Sequence, residues 1–463
     1  MEAPSPKFNV RLGDIAEAMT NFIQPGGGSS TKSISVTIPS DGELIITVPS
    51  NEPKCSASIK LEPSTGATDS RVDVAGSPLV TDISYYLLPG VTLNVFAWTT
   101  SVIRIEGSEQ LLRGVIRSST KSITRPLVEY HFVLHTQRIA AEKTQCGGPV
   151  TLICGGQLTG KTVVARTLAN YAARAGWKPI LVDLDPGVQQ TIGLPGSIGA
   201  AILDYPLPLD EVMALSLVST TYFVGTTEVE SFSKLGEALM GAAYVHFSKL
   251  LLTCVRERLS THANDLHGFS GAIIAVPEVH GSSGINFVSE LIQQYDVSNV
   301  LCLGDDDLFH TLYLRHDRGN AAQPDYVKID RISHNFSTVP PANADSVMPS
   351  RYSDYFLGTG VVDLHPSQWS KPFNSIDVLI LKEEQGQVVL SPVPKEELQG
   401  IVGCIGALYS SKSGNALQSS PMAYARVQTI DPAGIYFLTS THFTFPSEKL
   451  TLLVGTVRWI TST

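Results

Sequence analysis

Residues 150–162 read Val150-Thr151-Leu152-Ile153-Cys154-Gly155-Gly156-Gln157-Leu158-Thr159-Gly160-Lys161-Thr162, and VVARTLANYAARA continues to 175. A short apolar run, a glycine-rich turn and a helical stretch follow one another without a gap. The turn fits GxxxxGK[ST] at every fixed position. Glycines here let the backbone bend so that successive N–H groups point inward at phosphate oxygens. The helix that starts at Lys161 offers its positive N-terminus to the same anion. Lys161 can reach the β- and γ-phosphates, and the Thr162 hydroxyl can ligate Mg²⁺. Strand, loop and helix in this register open a P-loop nucleotide-binding domain.

Working outward, Pro179–Leu184 is the next strand, inside Leu181-Val182-Asp183-Leu184-Asp185-Pro186-Gly187. We expect this strand to lie beside the P-loop strand, which puts Asp185 in the crevice where open α/β sheets bind ligands. There it can take a water on Mg²⁺ or orient a substrate hydroxyl, aimed by the Asp-Pro-Gly turn. A helical pattern from Leu235 to Leu259, strand Gly271–Val276, helix Ile285–Tyr295, and strands Asn299–Leu303 and Tyr326–Ile332 follow. This alternation predicts a parallel sheet with helices on both faces. Asp305, Asp306 and Asp307 follow the strand VLCL, where capping the next helix explains them best. No guanine-reading Asn-Lys-x-Asp occurs, which argues against a GTPase. His131, His135, His246, His280 and His310 lack metal-ligand spacing and read as ordinary surface or satisfied core residues.

On either side the rhythm is β. Ile34–Pro39, Glu43–Pro49, Ser56–Glu62, Thr92–Trp98 and Ser101–Gly107 alternate apolar and polar residues at even spacing, which predicts a small sandwich or barrel, and we take the sandwich. After about 361 come Ile376–Leu381, Gln387–Leu390, Ile401–Tyr409, Tyr424–Ile430, Ile435–Thr439 and Leu450–Trp459. The expected fold is an α/β P-loop NTPase domain flanked by an N-terminal β-sandwich and a C-terminal β-rich domain. Its divisions are a flexible Gly/Ser-ended leader at 1–30, a β domain at 31–137, the ATP-binding domain at 138–360 and a β domain at 361–463.

Composition excludes several classes. The 463 residues are 43% apolar, ample for several packed cores, so disorder throughout is ruled out. Acidic residues outnumber basic ones, 43 to 33, and the formal net charge is -10. A chain that lives by bulk attraction to phosphate backbones is basic, so any RNA here is held locally or brought by partners. No apolar stretch nears the ~18 residues of a membrane span. The opening MEAPSPKFNVRLG lacks a basic end followed by an apolar run, so no secretory signal is expected. Six scattered cysteines, two of them in strand-like runs, suit buried thiols in a reducing compartment.

Across nearly its whole length the sequence resembles the Clp1 family, the pre-mRNA cleavage complex II proteins that are also polyribonucleotide 5′-hydroxyl kinases. The resemblance lies in the order and spacing of GELIITV, the P-loop with RTLANYA, LVDLDPG, LPGSIGA, RYSDYFLG and the closing LTLLVGTVRW. It implies ATP on Gly155 and Leu158-Thr159-Gly160-Lys161-Thr162-Val163, with Mg²⁺ at Thr162 and Asp185. It implies that Glu43 contacts the adenine. A second adenine contact, usually lysine, falls on Thr92 and is altered or lost. Asp185 matches the aspartate that holds the attacking 5′-hydroxyl, and Arg351 matches a lid arginine over the phosphates. The implied partners are subunits of the mRNA cleavage and polyadenylation factor, including a peptide of a transcription-termination subunit, in the nucleus. The kinase branch adds tRNA splicing intermediates and the tRNA splicing endonuclease.

The departures fall on the RNA side. Family kinases stack the RNA base on the tryptophan of Gly-Trp-Val-Lys-Gly-Ser-Gly, and the matching residues are Pro277-Glu278-Val279-His280-Gly281-Ser282-Ser283-Gly284. Losing a stacking aromatic removes roughly 1–3 kcal/mol of substrate binding. The lid Arg-Ile-Arg-Glu-Tyr-Phe-Tyr-Gly reads Arg351-Tyr352-Ser353-Asp354-Tyr355-Phe356-Leu357-Gly358, with Ser353 in place of an arginine. The turn after Asp185 is one residue longer than usual. The resemblance therefore points first to an ATP-binding structural subunit whose RNA-side residues are degenerate. A working kinase using Lys161, Asp185 and Arg351 is the alternative.

Overall fold

The computed structural model describes residues 32–459 apart from 50, 53–54, 64–68, 88, 119–123, 188–190, 210–218, 233–237, 317–326, 333–343, 359–363, 385–386, 411–414 and 441–448. The leader expected at 1–30 lies outside the described residues.

Period-2 burial builds the N-terminal sandwich. In Ser101–Gly107, Ser101, Ile103, Ile105 and Gly107 face inward and the residues between them do not. This strand pairs with Lys32–Ile38 and Ser58–Leu61 in a four-stranded sheet completed by Ser84–Tyr86. The facing sheet has five strands, with Thr92–Ala97 and Gly42–Thr47 at its centre. Leu44, Ile46, Ile59, Leu61, Val95, Ile103 and Ile105 fill the space between them.

The central sheet has seven strands, in the order Ser219–Phe223, Ser197–Ile202, Ile180–Asp183, Ala272–Ala275, Val150–Gly155, Asn299–Leu303, Lys328–Ile332. The last five are parallel, and the first two join antiparallel at one edge. The parallel sheet expected from sequence is present in those five strands, and the antiparallel pair at the edge makes the whole sheet mixed. Ser197–Ile202 reads SIGAAI, too rich in small residues to signal a strand. Helices cover both faces. Val150, Leu152 and Cys154 pack toward Phe247 and Leu251 of helix Ala242–Thr261 and Phe287 and Leu291 of helix Gly281–Gln294. Ile153 points the other way, toward Val164 and Leu168 of helix Lys161–Arg174 and Leu127 and Leu134 of helix Arg125–Thr144.

Two expectations shift. Residue 137, the expected domain edge, falls inside helix Arg125–Thr144, whose apolar face packs on the central core. Strand Ile180–Asp183 does not touch the P-loop strand, because Ala272–Ala275 pairs with both and stands between them. The crossover through helix Lys161–Arg174 therefore spans two strand spacings, about 10 Å.

The C-terminal domain is one seven-stranded sheet, ordered Ser367–Lys371, Gly434–Thr439, Ala423–Asp431, Cys404–Ser410, Leu450–Arg458, Ile376–Glu384, Gln387–Pro392. Ile405, Ala407 and Tyr409 face helix Ala344–Leu357, where Tyr352 and Phe356 are buried and Phe356 stacks on Trp459. The Tyr352 hydroxyl donates to Pro195 O at 3.1 Å, and Thr456 N–H donates to Gly225 O at 2.7 Å. These bonds join the C-terminal sheet and its helix to the edge of the central sheet. Among the described residues no helix is long and apolar enough to cross a membrane.

Candidate functional site

The site grows from the end of strand Val150–Gly155. Gly155 has φ 143°, and a Cβ there would lie 2.1 Å from Leu303 O, so the strand can leave the sheet here only through glycine. Leu158 (φ 55°) and Gly160 (φ 85°) also take left-handed conformations. The Thr159 hydroxyl donates to Gly156 O at 2.9 Å and pins the turn. Helix Lys161–Arg174 then starts on Gly160, which contributes no side-chain cap, so its first amides face the loop. Leu158 and Val163, 38% and 37% exposed, flank the mouth, and Thr162 lies on the first turn between Lys161 and Val163.

Lys161 is buried and donates to Gly155 O (3.2 Å) and Gly156 O (2.8 Å). Burial pulls its pKa below the usual lysine value, while Asp185, Glu278, Cys154 and Asp305 act to raise it. Three carboxylates that follow three strands thus act electrostatically on one ammonium. Asp185 Oδ1 accepts from Gly187 N–H at 2.9 Å, closing the Asp-Pro-Gly turn. Burial raises the Asp185 pKa, and the Gly187 amide and Lys161 oppose the shift. Behind it, buried Asp183 accepts from Asp185 N–H (3.1 Å) and Thr191 N–H (2.9 Å). Burial, then the charge of Asp185, pushes the Asp183 carboxyl up to about 7. Asp305 Oδ1 accepts from Leu308 N–H at 2.9 Å, which is the cap expected of it.

Glu278 is the residue that sequence reasoning missed. It was visible only as the replacement for a stacking tryptophan. The structure puts it on the P-loop, where its Oε1 accepts from Gln157 N–H at 2.9 Å. His280, read as ordinary, belongs to the same group: Nε2 is 3.4 Å from Glu278 Oε1, and Nδ1 is 2.8 Å from Glu230 Oε2. His131, expected to be satisfied, is buried with Nδ1 lacking a hydrogen-bond partner. Burial and the charges of Arg138, His135 and Arg174 lower its pKa to about 4.

The remaining candidates lie further out. Glu43, 3% exposed, accepts from Thr124 N–H at 2.6 Å, where the chain enters helix Arg125–Thr144. The Thr92 hydroxyl donates to Thr47 Oγ1 at 3.4 Å. Glu43 pairs with Phe96 and Thr47 with Thr92, so Glu43 and Thr92 stand about 13 Å apart along the strands. Arg351 is half-buried on helix Ala344–Leu357; desolvation lowers its pKa and the nearby Asp354 charge acts to raise it.

The N-terminal domain docks directly on the P-loop helix. Asp73, buried, accepts from Trp98 Nε1 (2.5 Å), Arg174 (2.9 Å) and the Tyr171 hydroxyl (3.4 Å). Asn170 Nδ2 donates to Ala75 O at 2.8 Å. A cavity of about 600 Å³ opens at the opposite, N-terminal edge of the central sheet, beside Val150, Cys146, Arg256 and Tyr295. Open α/β sheets bind nucleotides at the other end, so this cavity is not the P-loop site.

The residues present fit a nucleotide: a glycine-rich loop running into a helix N-terminus, a buried lysine held by two loop carbonyls, and a hydroxyl and a carboxylate beside it. Residues 155–347 match the family model for the mRNA cleavage and polyadenylation factor CLP1 P-loop, and residues 37–141 match that for the N-terminal β-sandwich domain of polyadenylation factor. Protein CLP1 homolog of Nematostella vectensis is 25% identical over 380 residues, covering 78% of this chain and 82% of that protein. Polyribonucleotide 5′-hydroxyl-kinase Clp1 of Danio rerio is 23% identical over 415 residues, 84% of this chain and 87% of its own length. The solved Clp1p–Pcf11p (454–563) complex has a chain that superposes with TM-score 0.74 at 18% identity, covering 92% of this chain and 98% of that one, and so shares the fold. With both domain models matched in order around this P-loop, the chain belongs to the Clp1 family of mRNA cleavage and polyadenylation factors.

Proposed function

We propose that this chain is a nuclear subunit of the pre-mRNA 3′-end cleavage and polyadenylation machinery that holds ATP as a structural ligand. In this reading the amides of Leu158, Thr159 and Gly160 and the Lys161 side chain hold the phosphates on the turn that Gly155 opens, and Thr162 and Asp185 hold Mg²⁺. Bound Mg²⁺ would neutralise charge between the phosphate oxygens. The same reading assigns Glu43, Thr92 and Val163 to the base end and Arg351 to the phosphate end. The observation that carries the reading is Glu278: where a kinase of this family needs a base-stacking aromatic, a carboxylate is tied to the P-loop amide of Gln157. A negative group at that position repels an RNA backbone. The N-terminal domain rests on the P-loop helix through Asp73, Trp98, Tyr171 and Arg174, so a nucleotide at the loop braces two domains at once. The partner of the solved relative, Pcf11p, indicates the kind of subunit peptide that this fold would receive.

A working RNA 5′-hydroxyl kinase is the second reading, favoured by Asp185, whose carboxylate lies within electrostatic reach of Lys161. Nucleotide retention tests what both readings share. The purified chain, denatured and resolved by anion-exchange chromatography, should release close to one nucleotide per molecule, and Lys161→Ala should release almost none. Equal amounts from both proteins would remove the P-loop from either account.

A further inference from the structure

Strand Ala272–Ala275, next to the P-loop strand, runs on through Val276 and Pro277 to Glu278. The 2.9 Å bond from Gln157 N–H joins residues 121 positions apart. Gln157 belongs to the arc of amides that a P-loop turns toward phosphate oxygens. Glu278 is therefore an anion already seated on the anion loop. Its charge also acts on Lys161, the side chain that reaches the outermost phosphates of a bound nucleotide. It is held in place from behind. His280 Nε2 stands 3.4 Å from the same Oε1, and Glu230 fixes His280 through Nδ1 (2.8 Å) and through the backbone N–H (2.7 Å).

We infer that Glu278 sets the choice between nucleoside di- and triphosphates: its carboxylate and the outermost phosphate compete for the Gln157 amide and Lys161. The inference rests on the nucleotide-binding reading above and deepens it. A diphosphate leaves that end of the loop to Glu278 and the hydrogen bond intact. A triphosphate must displace the carboxylate or lie beside it, like charge against like in a partly desolvated mouth. The preference for ATP that a P-loop lysine would otherwise give is thereby narrowed.

Glu278→Gln removes the charge while keeping the side chain's length and an acceptor for Gln157. Glu278→Ala removes both, and its thermal midpoint reports whether the fold survives. Dissociation constants for ATP and ADP, each with Mg²⁺, are measured by calorimetry on the full chain, its two Glu278 variants and Lys161→Ala. The expected result is ATP binding about tenfold tighter in both Glu278 variants, with ADP changed by less than about twofold. If Lys161→Ala weakens both nucleotides but the ATP-to-ADP ratio stays unchanged in the Glu278 variants, the inference is overturned and the nucleotide reading stands. If no form of the protein binds either nucleotide, both are overturned.

Discussion

Lys161, Asp185, Glu278 and Asp305 come from four places in the chain, and the three carboxylates lie within electrostatic reach of the Lys161 ammonium because four strands end at one edge of the sheet. The ammonium is the natural counter-charge for them all, and a phosphate chain would enter that balance as the strongest anion. Of these four, Lys161, Asp185 and Asp305 were legible from local text: a loop of fixed spacing, an Asp-Pro-Gly turn and a cap position. Glu278 was not, since its bond to Gln157 crosses 121 residues and leaves no local pattern. His131 carries a prediction at this scale. Its pKa is lowered from 6.5 to about 4, so the fold accommodates the neutral ring. The stability tied to that neutral form is complete above pH 6.5 and is lost as pH falls from 6.5 toward 4. At pH 5 the loss is about 2 kcal/mol relative to neutral pH. His131→Phe, which keeps the ring packing against Tyr171, should flatten the acid side of a urea-unfolding profile by that amount. Parallel acid limbs in the two proteins would refute it.

At the scale of elements, helix Lys161–Arg174 does two jobs: its first turn faces the phosphate loop, and its flank carries the N-terminal domain. The link is Asp73, whose burial raises its pKa while Trp98, Arg174 and Tyr171 act to lower it. Arg174→Met would leave a buried carboxylate short of its counter-charge. Because the Arg174 side chain is 33% exposed and two other donors remain, the cost should be about 2 kcal/mol, below that of a fully buried pair. Adding Asp73→Asn should recover more than half of it in denaturant unfolding. Additive losses in the double variant would contradict this account of the link. Most of these elements could be read in the sequence, because period-2 and period-3.6 patterns are local. Two things could not. SIGAAI of Ser197–Ile202 has only two β-branched residues, at 198 and 202, separated by Gly and Ala, and the insertion of Ala272–Ala275 between Ile180–Asp183 and the P-loop strand is a long-range pairing choice. That second miss matters, for the inserted strand is the one that delivers Glu278.

Over the whole molecule, a net charge of -10 and a carboxylate on the P-loop oppose capture of RNA by the isolated chain. A fluorescent 5′-hydroxyl oligonucleotide should bind with a dissociation constant weaker than about 100 µM at physiological salt. Low-micromolar anisotropy binding would contradict RNA delivery by partners. Nucleotide, in contrast, should register across the domain contacts: ATP at a hundredfold excess over its dissociation constant adds about 2.7 kcal/mol to the stability of the wild-type protein. Lys161→Ala should show no such gain in a thermal melt.

The claim that joins these scales is that the nucleotide half of the site works and the RNA half does not. Phosphoryl transfer from γ-labelled ATP to 5′-hydroxyl RNA tests it most directly, with Lys161→Ala alongside. The account predicts no labelled RNA above the level of that variant, from a wild-type protein that nevertheless retains nucleotide. Labelled RNA that accumulates with the wild type and is absent with Lys161→Ala would contradict it and establish the kinase.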